Sequence, residues 1–205
     1  MLVALLSFTV ASVLIVLLPG PDSLVVIRGL VRGGRRGGVL TAAGVLSGLL
    51  VWVTATALGI SALLRASEVG YDVLKVVGAC YLVWLGVRSL VALRRTKEAS
   101  LAVDRVEALR SGFWAGFLTD ILNPKVGVFF VSFLPGFVPA GESVGWVTFG
   151  FGLWYAVLTA VYFAALVAIS TTVATWMGTT HIRRRLDALT GLVLVGFGLR
   201  LATEA

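Results

Sequence analysis

Six long apolar stretches follow one another along this chain, separated by shorter segments in which glycine and charged residues collect. The stretches cover about residues 2–27, 39–64, 70–92, 111–137, 145–177 and 186–203. A helix needs about 20 mostly apolar residues to cross about 30 Å of hydrocarbon, and the six stretches approach or exceed that length. The pattern therefore predicts an all-α integral membrane protein with six transmembrane helices.

Basic residues are concentrated in three of the five segments between these stretches. They are Arg28, Arg32, Arg35 and Arg36 in the first, Arg94, Arg95, Lys97, Arg105 and Arg110 in the third, and Arg183, Arg184 and Arg185 in the fifth. The second segment has only Arg65, and the fourth has no Lys or Arg. Because cytoplasmic loops collect Lys and Arg, the three basic segments are predicted to be cytoplasmic, with both termini outside.

The longest polar stretch, about residues 94–110, divides the chain into two halves, about residues 1–93 and 111–205. Each half holds three predicted spans. An odd number of spans inverts the second half relative to the first, which is the topology of a 3+3 inverted-repeat transporter. We therefore expect one transmembrane transporter domain over residues 1–205, with a cytoplasmic linker at residues 94–110.

Composition narrows the functional classes. The chain is 59% apolar and 13% charged, and its net charge is +7. The positive charges are concentrated between the apolar stretches, which indicates membrane topology rather than binding to nucleic acid. The single cysteine, Cys80, excludes an internal disulfide and a Cys-x-x-Cys redox pair. The sequence contains no recognisable catalytic triad, metal-ligand cluster or nucleotide-binding loop. We expect no enzymatic activity, no cofactor and no metal site.

Proline interrupts the first span of each half. The motifs are Pro19-Gly20-Pro21-Asp22-Ser23 and Asn123-Pro124-Lys125. Proline removes a backbone donor and clashes with the preceding turn, so each motif should end one helical segment and begin another. Within lipid such breaks are tolerated only inside the protein or beside a wet cavity. The first and fourth helices are therefore predicted to be broken at intramembrane depth.

The charged residues at the breaks leave two interpretations open. Asp22 suits a helix N-terminus, whereas Lys125 faces the wrong end of its helix dipole and needs a carboxylate from Asp120, Asp22 or a substrate. In the structural interpretation, Asp22 and Asn123 cap helices and Lys125 pairs with Asp120. In the functional interpretation, these groups bind a ligand. This interpretation is favoured, because charged residues within a membrane usually serve a function.

Two further sets of residues are interpreted as structural. Gly44 with Gly48, and Gly112 with Gly116, have the small-xxx-small spacing that allows helices to approach closely, and packing within the chain is favoured over a dimer contact. Tyr155 and Tyr162 are expected in the core or at the membrane interface rather than along a pore.

Several ordered motifs resemble the LysE/RhtB family of amino-acid exporters. They are LPGPD at 18–22, KVVGACYLVWLG at 75–86, GFLTDILNPKVGVFFVSFLPGF at 116–137 and the glycine-rich last span from Gly191. The resemblance implies a compact six-span fold, a homodimer, and export of amino acids or their derivatives across the bacterial inner membrane, driven by an ion gradient. Asp120 and Gly136 depart from it, since asparagine and glutamine are common at these positions in the family.

The leading hypothesis is therefore a secondary-active exporter, coupled to the proton gradient, with its site between the two broken helices. The expected substrate-binding residues are Asp22, Asp120, Asn123, Pro124 and Lys125, and the helix-break motif is Pro19, Gly20 and Pro21. Lys125 and the N–H groups from Pro124 onward would receive the substrate carboxylate, and Asp22 or Asp120 its ammonium group. The expected partners are a small amino-acid substrate and the lipid bilayer.

One competing hypothesis is a channel or an ion or metal transporter of a related fold. The same half-helices and intramembrane acids favour it, but the predicted core has few carboxylates and no His or Cys cluster with which to replace the water around a metal ion.

Overall fold

The computed structural model describes residues 1–17, 20–66 and 112–169, of which residues 60–66 are described by their backbone alone. It also describes scattered positions within 69–91 and 188–199, and these are helical. Pro19, the predicted linker at 94–110 and most of the third and sixth predicted spans lie outside the described residues.

Five helices account for most of the continuously described chain. They are α1 (Leu2–Leu17), α2 (Pro21–Ala66), α3 (Phe113–Ile121), α4 (Pro124–Val128) and α5 (Val144–Ala168). A π-helical turn, Phe129–Phe133, and a 3-10 turn, Leu134–Phe137, continue α4. The described residues contain no strand, so the all-α prediction is confirmed for this part of the chain.

The apolar lengths of these helices fit a membrane. The stretch Pro21–Gly59 and helix α5 each contain an apolar segment long enough to cross one, and α3 with the segment Pro124–Phe137 forms a third candidate span bent by 49°. Large apolar side chains also cover the outside of the bundle: Leu58 is 70% exposed and Val161 is 64% exposed. Lipid is the solvent that such a surface requires.

The prediction of a loop between the first two spans is wrong. Residues 28–38 are helical on both sides of Gly34, where φ is 58° and ψ is −156°. A Cβ atom added to Gly29 would lie only 2.9 Å from the carbonyl oxygen of Gly37, although residues eight apart in one helix are separated by about 12 Å. The chain therefore folds back at Gly34 into a helical hairpin with arms at residues 21–33 and 35–66. Glycine alone adopts this conformation easily, so a single residue replaces a loop.

Helix α3 packs against the second arm of α2 along a seam of glycines. A Cβ atom on Gly44 would collide with the carbonyl oxygen of Phe113, and one on Gly116 with that of Thr41. The predicted packing within the chain is thus confirmed for Gly44 and Gly116. Gly112 takes no part, since a Cβ atom there would meet nothing within 4 Å.

Two buried clusters lie on either side of the helix breaks. The first joins α1, the second arm of α2, the turns that follow α4, and α5, and seven of its fifteen buried residues are aromatic. Phe8 stacks on Phe151 with ring centroids 4.8 Å apart, and Phe129 packs on Tyr155 at 4.7 Å. The second joins both arms of α2 to the end of α5, and contains Val26, Leu30, Ala42, Val45, Phe163, Leu166 and Val167. The broken helix ends lie between these two cores.

Candidate functional site

The two breaks meet in space. The side-chain amide of Asn123 donates a hydrogen bond of 2.7 Å to Oδ2 of Asp22, although the residues are 101 positions apart. The oxygen of the same amide accepts a hydrogen bond of 3.1 Å from the backbone N–H of Lys125. Asn123 therefore caps α4 and ties it to the start of α2.

Both helices resume in the same way. Pro21 is the first residue of α2 and Pro124 is the first of α4, where the missing N–H of proline costs no helical hydrogen bond. The carbonyls of Gly20 and Asn123, immediately before the prolines, each accept a 3.1 Å bond from the N–H four residues on. The residue after each proline is charged, and the charges are opposite. The breaks thus bring an acid and a base to two helix beginnings that face each other.

Lys125 donates a hydrogen bond to a main-chain carbonyl at the C-terminal end of α1. Its ammonium group donates a hydrogen bond of 3.0 Å to the carbonyl oxygen of Ile15, in the last turn of α1. Carbonyls in a last turn lack helical partners and carry partial negative charge, so the cation is favourably placed there. It also interacts electrostatically with Asp22. The unfavourable position of Lys125 in its own helix is therefore compensated across the break.

Asp22 uses only one of its two carboxylate oxygens in a hydrogen bond with the described residues. Oδ2 accepts the bond from Asn123, whereas Oδ1 has no hydrogen-bond partner among the described residues. The carboxylate lies in the first turn of α2, where backbone N–H groups and the helix dipole favour a negative charge.

Asp120 lies apart from this pair. Its side chain is fully buried, and neither carboxylate oxygen has a hydrogen-bond partner in the described part of the chain. The proposed structural pairing with Lys125 is therefore not a hydrogen bond in this conformation. Its main chain ends α3, since its carbonyl accepts a 3.0 Å bond from the N–H of Asn123 and a longer one, 3.4 Å, from the indole of Trp52.

A cavity opens beside the breaks. About 330 Å³ of space lies between the protein atoms around it when its open mouth is counted, so the part that is closed off from the outside is much smaller. Its polar lining is Asp22, Ser23, Lys125, Tyr155, Thr159 and Tyr162, and its apolar lining includes Ile15, Val16, Val126 and Phe163. Asp120 is not part of this wall. The cavity thus has one acid, one base, several hydroxyls and apolar sides.

Among the described residues no group of three or more His, Cys, Asp and Glu side chains is arranged to hold a metal ion. Asp22 and Asp120 are therefore not accompanied there by the further ligands that a metal site needs.

Sequence reasoning found part of this arrangement. The structure brings Asp22, Asn123 and Lys125 together and starts α4 at Pro124. The assignment of Tyr155 and Tyr162 to packing alone is incomplete, because both also line the cavity. Thr159 was missed. Its only signal in the sequence is its spacing from Tyr155 and Tyr162, four and three residues, which places the three on one face of a helix.

Comparison with known proteins covers nearly the whole sequence. The model of the family described as LysE type translocators matches residues 13–205. A leucine efflux protein of Klebsiella pneumoniae is 30% identical, over 97% of this chain and 94% of its own length. An uncharacterized membrane protein of Pseudomonas aeruginosa is 32% identical, over 96% of this chain and 94% of its own length. An uncharacterized membrane protein of Bacillus subtilis is 26% identical, over 96% of this chain and 97% of its own length. No solved structure matches the chain.

The family match covers both breaks and all the residues named in the cavity wall. Two relatives named as membrane proteins align with this chain over nearly their whole length, and two of its described helices contain an apolar segment long enough to span a bilayer. The protein is therefore a multi-pass membrane protein, and it belongs to the LysE type translocator family.

Proposed function

We propose that this protein is a secondary-active exporter of amino acids or amino-acid derivatives, coupled to the proton gradient across the bacterial inner membrane. The observation that carries the proposal is the cavity between the breaks, which has Asp22 and Lys125 in its wall. Family membership favours transport over catalysis, and the relative named as a leucine efflux protein favours an amino-acid substrate.

The charges of the cavity suit a zwitterion. The free Oδ1 of Asp22 accepts the substrate ammonium group, and Lys125 with the first turn of α4 receives the substrate carboxylate. Lys125 then shares its ammonium between the substrate and the carbonyl of Ile15. Both groups of the substrate are paired, which offsets the cost of removing them from water.

The rest of the wall suits a neutral side chain. Val16, Val126 and Phe163 are apolar, and Thr159 already donates its hydroxyl hydrogen to the carbonyl of Tyr155. The described wall offers no second acid for a cationic substrate side chain. Amino acids with small or apolar side chains are therefore the first candidates.

The packing of the halves supports the inverted repeat. Helix α1, before the first break, packs on α5, where the indole of Trp154 donates a 3.0 Å hydrogen bond to Thr9. Helix α3, before the second break, packs on the second arm of α2. In a 3+3 repeat these are corresponding pairs, so each half contributes one broken helix to the other.

The charge pattern orients the transporter. The hairpin at Gly34 carries four arginines within residues 28–36, and the positive-inside rule then favours a cytoplasmic hairpin with the N-terminus outside. In this orientation the cluster around Phe8, Phe129 and Phe151 closes the outer side of the breaks. The homodimer that the family resemblance implies belongs to the same proposal.

Efflux from loaded proteoliposomes tests the function. Wild-type protein is expected to export some members of a panel of labelled amino acids, with leucine included, and Lys125→Ala and Asp22→Asn should each reduce the rate about tenfold or more, because each removes a charged hydrogen-bonding group worth about 1.5–3 kcal/mol. Glu142→Gln, an exposed acid outside the cavity, is the matched control and should export normally. Absence of efflux for every amino acid from folded protein would overturn the proposal and leave the ion-transport alternative.

A further inference from the structure

We propose that Asp120 is the site of the coupling proton, separate from the substrate cavity, and that it releases this proton only when α3 moves away from the second arm of α2. The inference rests on the proposed export function. It assigns to Asp22 and Asp120 two different tasks that the sequence left interchangeable.

The surroundings of Asp120 show why it is not a substrate contact. Its side chain is fully buried, and it lies outside the cavity wall that includes Asp22 and Lys125. It lies instead against Gly48 of α2: a Cβ atom on that glycine would lie 2.6 Å from Oδ2 and 2.9 Å from the Cβ of Asp120. The carboxyl group thus rests directly on helix backbone, with no room on that face for an ammonium group.

A bare carboxylate is expensive in this place. Neither oxygen has a hydrogen-bond donor among the described residues, and burial of an unpaired charge is strongly unfavourable. A metal ion is no substitute, because the described residues hold no cluster of ligands for one. A proton is the partner that fits without extra space.

The neighbouring charges lead to the same assignment. The carboxylate of Asp22 acts electrostatically on Asp120, whereas the phenol of Tyr155 on α5 is uncharged and Lys125 of α4 directs its ammonium group to Ile15. Among the described residues around the breaks, the charge of Lys125 balances that of Asp22, so a second carboxylate charge would be uncompensated there. With one proton on Asp120, the side chains of Asp22, Asp120 and Lys125 have no net charge.

The seam between α2 and α3 makes proton release depend on conformation. The glycine contacts at Gly44, Gly48 and Gly116 hold α3 against the second arm of α2 and exclude water from Asp120. When the seam opens, the O–H bond of the carboxyl group breaks heterolytically, the electron pair stays on the carboxylate and water takes the proton. Closing the seam again requires that a proton return. The transport cycle then moves one proton through Asp120.

Two transport measurements with labelled leucine separate the tasks. Exchange of leucine across proteoliposomes at equal pH needs only substrate binding, so Asp120→Asn should retain it within about twofold, whereas Asp22→Asn should lose about tenfold or more. Uphill efflux driven by a pH gradient needs the proton site, and Asp120→Asn should abolish its acceleration by the gradient. Full gradient acceleration in Asp120→Asn would overturn the assignment, and so would loss of exchange together with acceleration.

A measurement on wild-type protein covers the case in which Asp120→Asn fails to fold. Infrared spectroscopy detects the C=O stretch of a protonated carboxyl group without a reagent that must reach it, and 13C-labelled aspartate assigns the band to an aspartic acid. We expect this band at neutral pH and its loss at high pH; its absence at neutral pH would contradict the inference. Failure of wild-type protein to exchange any amino acid would instead refute the proposed function, so the two failures are distinguishable.

Discussion

The ammonium group of Lys125 lies 3.0 Å from the carbonyl oxygen of Ile15, so the cation of the second break stabilises the C-terminal end of the helix that the first break interrupts. A residue that is misplaced in its own helix is correctly placed against another. The same contact puts a positive charge in the wall of the cavity. Packing and substrate binding therefore depend on one side chain, and experiments need to separate these contributions.

Variants of Lys125 separate the charge from its geometry. Lys125→Met keeps much of the side-chain length but loses the charge and the bond to Ile15, so it should lose efflux about tenfold or more. Lys125→Arg keeps the charge with a bulkier, planar head in a buried site and should retain part of the activity. Initial efflux rates in proteoliposomes measure both. Equal activity of Lys125→Met and wild type would remove Lys125 from the substrate site.

Removal of the Asn123 side chain should loosen the two breaks. Asn123→Ala loses the cap of α4 and the 2.7 Å bond to Asp22, for an expected cost of about 1–3 kcal/mol in the free energy of unfolding. Thermal unfolding in detergent should show a lower midpoint. Ser47→Ala is the control, because it removes an exposed side-chain bond to the carbonyl four residues earlier. A similar midpoint in both variants would mean that the hydrogen bonds of Asn123 do not stabilise the protein.

Substitution of Gly116 tests the seam between α2 and α3. Gly116→Ala places a Cβ atom against the carbonyl of Thr41, so the helices must separate and the protein should be destabilised by about 1–3 kcal/mol. Gly150→Ala, in the middle of α5 with nothing within 4 Å of the added atom, should be neutral or slightly stabilising because alanine favours helix. The same thermal assay compares them, and equal midpoints would contradict the close packing.

The hairpin at Gly34 makes a local prediction. Gly34→Ala forces a Cβ atom into a conformation that only glycine adopts easily and should cost about 1–3 kcal/mol. Gly33→Ala is the neighbouring control: Gly33 has no positive φ, and its added atom meets nothing within 4 Å. Chemical denaturation of purified protein measures the difference. If Gly34→Ala leaves the free energy of unfolding unchanged, the chain does not reverse its direction at this residue.

The sequence predicted the features that depend on local chemistry. Proline breaks a helix wherever it falls, so the breaks before Pro21 and Pro124 were predictable, as was the cap at Asn123. The loop at 28–38 was mispredicted, because charges and glycines signal exposure but do not show that Gly34 turns the chain alone. One partner of Lys125 is a main-chain carbonyl 110 residues away, and such a group has no sequence signature.

The central claim is that an amino acid binds in the cavity between the breaks, and equilibrium binding of labelled leucine to purified protein tests it most directly. Phe163→Trp fills the cavity with a larger ring while it leaves Asp22 and Lys125 in place. The account predicts saturable binding in wild type, binding weakened about tenfold or more in Phe163→Trp and in Lys125→Ala, and normal binding in Glu142→Gln. Wild-type affinity in both cavity variants would contradict it and place the site elsewhere in the protein.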